Sequence, residues 1–212
     1  MKTLAALLKA ALKAAAVLVA VAVVAGGLVI YTGLIPVAAD VEHRPFSQWL
    51  LQTVREQSVA RAARAVEVKL PRQLDGGALL SSVAGFEEMC AGCHAPPGRA
   101  GTALARGLNP PAPDLAQAAL ERTPAELFWV TRHGIRMSAM PAWGETHSDD
   151  ELWPLVALMI RFPEMGADEY TRLLDDARAA GTVHDHGDAN DEEPGEDQQQ
   201  DNQDQDQHDH QH

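Results

Sequence analysis

The sequence predicts an all-α protein, in which a compact helical domain follows an N-terminal transmembrane helix and precedes a disordered C-terminal tail. First, residues 14–36 form an apolar run without a single charge. Second, residues 75–181 contain repeated helix start and stop signals and almost none of the apolar–polar alternation that strands require. Third, residues 182–212 contain eleven acidic residues and no Lys or Arg. A chain of 212 residues is long enough for one domain with these two attachments.

The formal net charge of −13 comes mainly from the tail, because the rest of the chain has nineteen acidic and seventeen basic residues. That balance excludes a nucleic-acid-binding protein, which needs a concentrated basic face. The tail has too few apolar residues to offset its conformational entropy, so it is predicted to be disordered. Its histidines allow either a simply solvated tail or weak Cu, Zn or Ni binding; they are His184, His186, His208, His210 and His212.

The apolar run at residues 14–36 is typical of a membrane anchor. Its length of about 23 residues gives a helix of roughly 35 Å, which spans a hydrocarbon core of about 30 Å. Residues 1–13 form a basic flank with three lysines, which predicts a cytoplasmic N-terminus and a remainder on the periplasmic side. Small residues at 37–39 also allow a cleaved signal peptide, although the apolar segment of a signal peptide has only about 7–15 residues. Under both interpretations, the residues that follow the apolar run lie outside the cytoplasm.

Residues 37–74 are predicted to be an amphipathic helical linker, with a helix over residues 46–68. Apolar residues recur near helical spacing and charged residues occupy the positions between them. We expect this helix to pack on the domain or to lie near the membrane surface, in preference to serving as a dedicated partner-binding helix. The apolar set is Phe46, Trp49, Leu50, Val54, Ala62 and Val66, and the charged set is Arg55, Glu56, Arg61 and Arg64.

The domain itself, residues 75–181, is predicted to contain four helices. The first covers residues 78–89, and a Gly- and Pro-rich loop follows over residues 95–115. Thr123 caps the second helix, which stops at Gly134, and Ser148 opens a capping box before the third, over residues 152–162. Because Pro154 removes a backbone donor, the third helix is expected to be kinked or to start late. The fourth covers residues 167–180.

The only two cysteines of the chain lie in Cys90-Ala91-Gly92-Cys93-His94, the attachment pattern of c-type haem. Each thiol can form a thioether with one haem vinyl group, and His94 then lies beneath the iron as a ligand. A thioredoxin-like dithiol, half of a zinc site and a short disulfide loop are the alternatives, and none of them requires the histidine. One motif predicts one covalent haem c. Its flat apolar surface would also compensate for the scarcity of aromatic residues, 5% of the chain.

A second axial ligand is expected well along the chain, and Met140 is the preferred candidate. A thioether sulfur favours reduced iron and leaves no open coordination position. Pro141 restrains the backbone that holds this methionine. Met137 is the alternative, and His133 and His147 are further candidates. All of these methionines could also simply fill the core.

Residues 78–162 resemble the small single-domain cytochromes c with His and Met ligands, and in particular those tethered by an N-terminal transmembrane helix. The resemblance rests on the haem motif preceded by Phe86 and on four further stretches, which are residues 107–115, 126–129, 137–143 and 151–153. It implies the cytochrome c fold, in which an N-terminal and a C-terminal helix cross. In this chain it would place Phe86 with Ser82 or Gly85 at the crossing, against Trp153 with Val156 or Ala157.

The resemblance further implies that a carbonyl of the Pro-rich loop accepts a hydrogen bond from His94, with Pro110, Pro111 and Pro113 as candidates. The function it implies is one-electron transfer between partners such as a membrane-bound oxidase or dehydrogenase of a respiratory-type chain, without catalysis of its own. Two other functions stay open. One is a haem peroxidase or sensor with an open iron site, and the other is a periplasmic metal-handling protein that uses the tail.

Overall fold

The computed structural model describes residues 2–42 and 44–182, which form helices joined by loops and contain no strand within those ranges. The all-α prediction is therefore confirmed. The helices are α1 (Lys2–Tyr31), α2 (Pro45–Ala63), α3 (Gly76–Met89), α4 (Ala103–Arg106), α5 (Leu115–Glu121), α6 (Pro124–His133), α7 (Asp149–Arg161) and α8 (Ala167–Ala179). Two 3₁₀ turns lie at Trp143–Glu145 and Phe162–Glu164.

Helix α1 is long and apolar enough to cross a membrane, by its length and composition. Its segment Ala6–Tyr31 has 26 residues, and the most apolar stretch of 18 residues within it has a mean hydropathy of 2.6 and no buried side chain. The helix starts and ends earlier than the predicted run of residues 14–36. It stops at Tyr31 because Gly33 takes a positive φ of 67° and Pro36 follows.

Helix α3 is packed between α7 and α8 through aromatic contacts around Phe86. The Phe86 ring is fully buried and meets the ring of Phe162 edge-on at 5.0 Å and that of Tyr170 at 6.2 Å. The two helices also pack closely at Gly85, where an added Cβ would lie 3.5 Å from a methyl group of Leu155, an ordinary contact distance. The Tyr170 hydroxyl donates a hydrogen bond of 2.7 Å to Glu87, which ties α8 to α3.

The partner of Phe86 is not the residue expected from the sequence. Trp153 was expected at this helix crossing, but its ring stacks on Phe128 of α6 at 4.1 Å. Phe162, one turn beyond the predicted crossing, supplies the aromatic contact instead. Trp153 therefore fastens α7 to α6, and α7 is held by aromatic rings on two sides.

The helix boundaries agree with the sequence signals at α6 and differ from them elsewhere. Thr123 and Glu126 form the predicted capping box, and Gly134 ends α6. Helix α7 begins at Asp149, directly after the Ser148 capping box, with Pro154 inside it, so the expected late start is wrong. Two elements were not expected: α4 interrupts the Pro-rich loop, and α5 precedes α6. Both begin at a side-chain cap, from Thr102 and Asp114 respectively.

Helix α2 packs against α6, but not through the apolar residues of its N-terminal half. Val59 and Ala63 are buried, and Arg55 and Glu56 are half-buried beside them. The apolar residues at its N-terminal end point away from the domain and are exposed. The periodicity predicted a helix here, and of the two placements expected for it, packing on the domain involves Val59 and Ala63 and not the N-terminal apolar residues.

Residues 183–212 lie outside the described part of the chain. The predicted disorder of the tail and the metal binding by its five histidines therefore concern residues that the structure does not describe.

We predict that Phe86→Ala lowers the free energy of unfolding by about 3–5 kcal/mol, because it leaves a cavity at the contact of three helices. Leu120→Ala is the control, since Leu120 is exposed on α5, and it should cost no more than about 0.5 kcal/mol. Guanidinium unfolding of the full chain in mild detergent measures both. Equal effects of the two substitutions would show that α3, α7 and α8 do not form the core.

Candidate haem-binding site

The Cys90–His94 segment continues α3 as a helical turn. Cys90 is the C-cap of the helix, and the amides of both Cys93 and His94 donate to the Cys90 carbonyl, at 3.0 and 2.8 Å. This turn presents the two thiols and the imidazole together at the end of α3. Both thiols are free.

The environment of Cys90 disfavours a thiolate. Burial, with a smaller contribution from Cys93, raises the pKa of the Cys90 thiol to about 12. Redox-active and metal-binding cysteines have lowered thiol pKa values. A buried, protonated thiol is therefore poorly suited to the redox-active dithiol alternative, whereas thioether formation removes the ionisable group altogether.

His94 is buried and oriented by the Pro-rich loop. Its Nδ1 lies 3.0 Å from the carbonyl oxygen of Pro113, which singles out Pro113 among the three prolines considered from the sequence. A carbonyl can only accept, so Nδ1 must be the N–H donor and Nε2 keeps a free lone pair for a metal. Burial lowers the pKa of His94, against the opposing effect of the Pro113 hydrogen bond, and keeps the ring neutral.

A cavity of about 390 Å³ opens beside this turn. Cys90, Cys93 and His94 line it together with residues from α2, α5, α6 and the loop that follows α6. Most of the exposed lining is apolar, as expected for a cofactor site. Prominent lining residues are Met89, Leu108, Pro110, Leu115, Leu127, Val130, Ile135, Trp143, Leu155 and Met159.

Met140 lies on the wall of this cavity, in a tight loop after α6. The loop is closed by a hydrogen bond of 3.2 Å from the Ile135 amide to the Met140 carbonyl, and by the Ser138 hydroxyl, which accepts from the Met140 amide at 3.2 Å. Gly134 takes a φ of 64°, and a Cβ there would lie 2.6 Å from the Met140 carbonyl oxygen. Only glycine therefore fits at the base of the loop.

The other candidate ligands are not brought to the cavity. The Met137 side chain is 95% exposed, and neither Met137, His133 nor His147 lines the cavity wall. His133 instead contacts the ring of Trp129, and His147 that of Trp143. Of the side chains proposed from the sequence as second ligands, the structure places only Met140 with the Cys90–His94 turn.

Sequence reasoning missed the contribution of α2 to the site. Gln52, Arg55, Glu56 and Val59 line the cavity from this helix. Gln52 donates a hydrogen bond of 2.8 Å to Glu56, whereas Arg55 makes no ion pair with any residue that the structure describes. The available signal was the pair of small apolar residues Val59 and Ala63, which share a face with Arg55 and Glu56 at helical spacing.

Residues 78–159 match the family described as "Cytochrome C oxidase, cbb3-type, subunit III". This part of the chain is a c-type cytochrome domain. The match begins in α3 and ends in α7, so α1, α2 and α8 lie outside it. No curated protein matches the chain.

The cavity of the cytochrome domain fits a covalently bound haem c, which a domain of this type implies. Its wall combines two adjacent thiols, an imidazole with a free Nε2 and a largely apolar surface. The cationic side chains on the wall are Arg55 and Arg122. Positive charge near a haem favours the reduced iron, because reduction lowers the positive charge at the metal.

We therefore predict that Arg55→Gln lowers the reduction potential of the haem. A charge held by the cavity wall should interact with the iron by about 1 kcal/mol, or roughly 40 mV for one electron. Arg61→Gln is the matched control, because it removes the same charge from an exposed position of the same helix that does not line the cavity. Redox titration of both variants checks this, and equal shifts would contradict the placement of Arg55.

Proposed function

We propose that the chain is a membrane-tethered one-electron carrier with a single haem c, ligated by His94 and Met140. The observation that carries the proposal is the arrangement of one cavity. Cys90, Cys93 and His94 share its wall with Met140, while the alternative ligands lie elsewhere. The cytochrome domain supports the haem and the electron transfer; the ligand pair is inferred from the placement of these four side chains.

Each residue has a separate task in this proposal. Cys90 and Cys93 hold the haem through two thioethers, and because the chain has no other cysteine, it holds one haem in this way. The Pro113 carbonyl occupies Nδ1 of His94, so Nε2 would be the nitrogen that binds the iron. The hydrogen bonds of the 134–141 loop hold Met140 in place, and its sulfur is the second ligand.

The ligand pair determines the chemistry. The bound haem supplies an iron that changes oxidation state by one electron. With His94 and Met140 both bound, no coordination position is left for a substrate, and the soft thioether favours the reduced state. The rigid turn and loop keep the two ligands in the same places in both states. The domain is therefore an electron-transfer protein and not an enzyme that acts on a substrate.

The location follows from the N-terminal helix. We propose that α1 spans the cytoplasmic membrane and that the basic flank of residues 1–13 stays in the cytoplasm. The haem domain then lies on the periplasmic side, where c-type haem is attached. Tethering favours membrane-bound redox partners, such as an oxidase or a dehydrogenase in a respiratory-type chain.

We predict that Met140→Ala changes the visible spectrum of the haem protein and lowers its reduction potential, because the iron loses its thioether ligand. Met137→Ala is the matched control, since Met137 lies three residues away and is exposed. It should change neither property. Absorption spectra and redox titrations of the purified full-length variants provide the measurement.

An unchanged spectrum and potential in Met140→Ala would contradict the His/Met assignment. In that case the iron site would be open or differently ligated, and a haem peroxidase or sensor would become the better description. If the spectrum and the potential changed in Met137→Ala instead, the second ligand would be Met137 of the same loop, and the roles of Cys90, Cys93 and His94 would stand.

A further inference from the structure

The exposed large apolar side chains of the folded part of the chain are concentrated on α2. Between residues 45 and 182, nine such side chains are exposed. Five of them belong to one nine-residue segment of α2, residues 46–54. These five, here called the α2 patch, are Phe46, Trp49, Leu50, Leu51 and Val54. The other four are scattered singly over the domain, as is ordinary for a protein surface. The α2 patch therefore needs an explanation that the others do not.

Three residues of the patch lie on the side of α2 opposite to Gln52, Arg55, Glu56 and Val59, which line the haem cavity. Phe46, Leu50 and Val54 follow each other at intervals of four residues and thus form one stripe. They are 69%, 42% and 59% exposed, whereas Val59 on the inner face is 2% exposed. Within the described residues, the Phe46 ring contacts only one other ring, that of Trp49 at 5.9 Å. The outer face of α2 is consequently uncovered.

The position of α2 in the chain indicates what covers this face. Thirteen residues separate the end of α1 at Tyr31 from Pro45, so fully extended they reach at most about 50 Å. This linker is also fastened to the domain, because the Asn109 side chain donates hydrogen bonds of 3.0 Å to the carbonyls of Ala39 and Val41. Only seven residues lie between Tyr31 and Ala39, so the eight chain steps from Tyr31 to Ala39 span at most about 28 Å. The domain thus stays close to the surface from which α1 emerges.

The composition of α2 suits the interface of a lipid bilayer. Trp and Phe are enriched at that depth, and a helix lying in the interface presents an apolar face bordered by basic residues. Arg44 precedes the patch, while Arg61 and Arg64 follow it, and all three are exposed. Their long side chains can reach lipid phosphates while the patch enters the acyl region.

We propose that α2 lies in the outer membrane interface, with the α2 patch in lipid and its inner face on the haem cavity. The proposal rests on the proposed anchor. Because α2 is a single helix of about 10–12 Å in diameter, it would hold the haem cavity about one helix diameter from the lipid. The tether then fixes the orientation of the haem domain as well as its location. The family match begins at residue 78, so α2 lies outside it.

The test is site-directed spin labelling of the full-length haem protein in vesicles of phosphatidylethanolamine and phosphatidylglycerol. The native thiols are consumed by haem attachment, so one introduced cysteine carries the label. Leu50→Cys probes the α2 patch, Leu18→Cys probes the middle of α1, and Gln73→Cys is an exposed control in the loop between α2 and α3. The relative access of oxygen and of a water-soluble nickel complex to the label gives its depth.

We expect the label at residue 50 to lie about 5–10 Å below the headgroup boundary, as in interfacial helices. The label at residue 18 should lie deep in lipid and that at residue 73 in water. A lipid-exposed label at 18 with water-exposed labels at 50 and 73 would overturn the proposal and leave the anchor standing; a protein partner would then be the occupant of the patch. A water-exposed label at 18 would contradict the anchor itself and with it the proposal. Unchanged absorption spectra verify that each variant is folded.

Discussion

The hydrogen bond between His94 and the Pro113 carbonyl joins the two halves of the site. The Cys90–His94 turn belongs to α3, whereas Pro113 belongs to the loop that leads into α5. Without this bond the imidazole could rotate and present either nitrogen to the cavity. With it, Nδ1 is occupied at 3.0 Å and Nε2 is the nitrogen that remains. The Pro-rich loop therefore orients the ligand, and the surrounding helices serve to keep that loop against the end of α3.

The part of the wall that contains Met140 is held in place by a different set of contacts. There the ligand candidate lies in a loop closed by its own hydrogen bonds and by the positive φ of Gly134. The loop is carried by α6, which the stacked rings of Phe128 and Trp153 fasten to α7. The stacked rings thus fix α7 relative to α6 and its Met140 loop. The contact between Phe86 and Phe162 fixes the C-terminal end of α7 relative to α3. The scarcity of aromatic residues is consistent with this use, because most of those in the domain hold helices that frame the cavity.

The parts of the fold that local chemistry determines could be read from the sequence. The capping box at Thr123, the stop at Gly134 and the helical turn through Cys90 and Cys93 depend on neighbouring residues only. The choice of Phe162 over Trp153 as the partner of Phe86, and of Pro113 over two other prolines, depends on how helices pack in three dimensions. Which face of α2 packs on the domain could not be inferred from its hydrophobicity. Its most apolar stripe is not the one that packs on the domain, so a rule that buries the most apolar face gives the wrong orientation. That exception is itself informative, because it leaves an apolar stripe facing outward next to a membrane anchor.

The central claim is that His94 and Met140, which line one cavity, both bind the iron of a single haem. X-ray absorption at the iron edge of the purified, reduced full-length protein tests it most directly, since sulfur and nitrogen neighbours scatter differently. We predict five nitrogen neighbours, four from the haem and one from His94, and one sulfur from Met140. An iron site with six nitrogen neighbours or with an empty sixth position, and no sulfur in either case, would contradict the account.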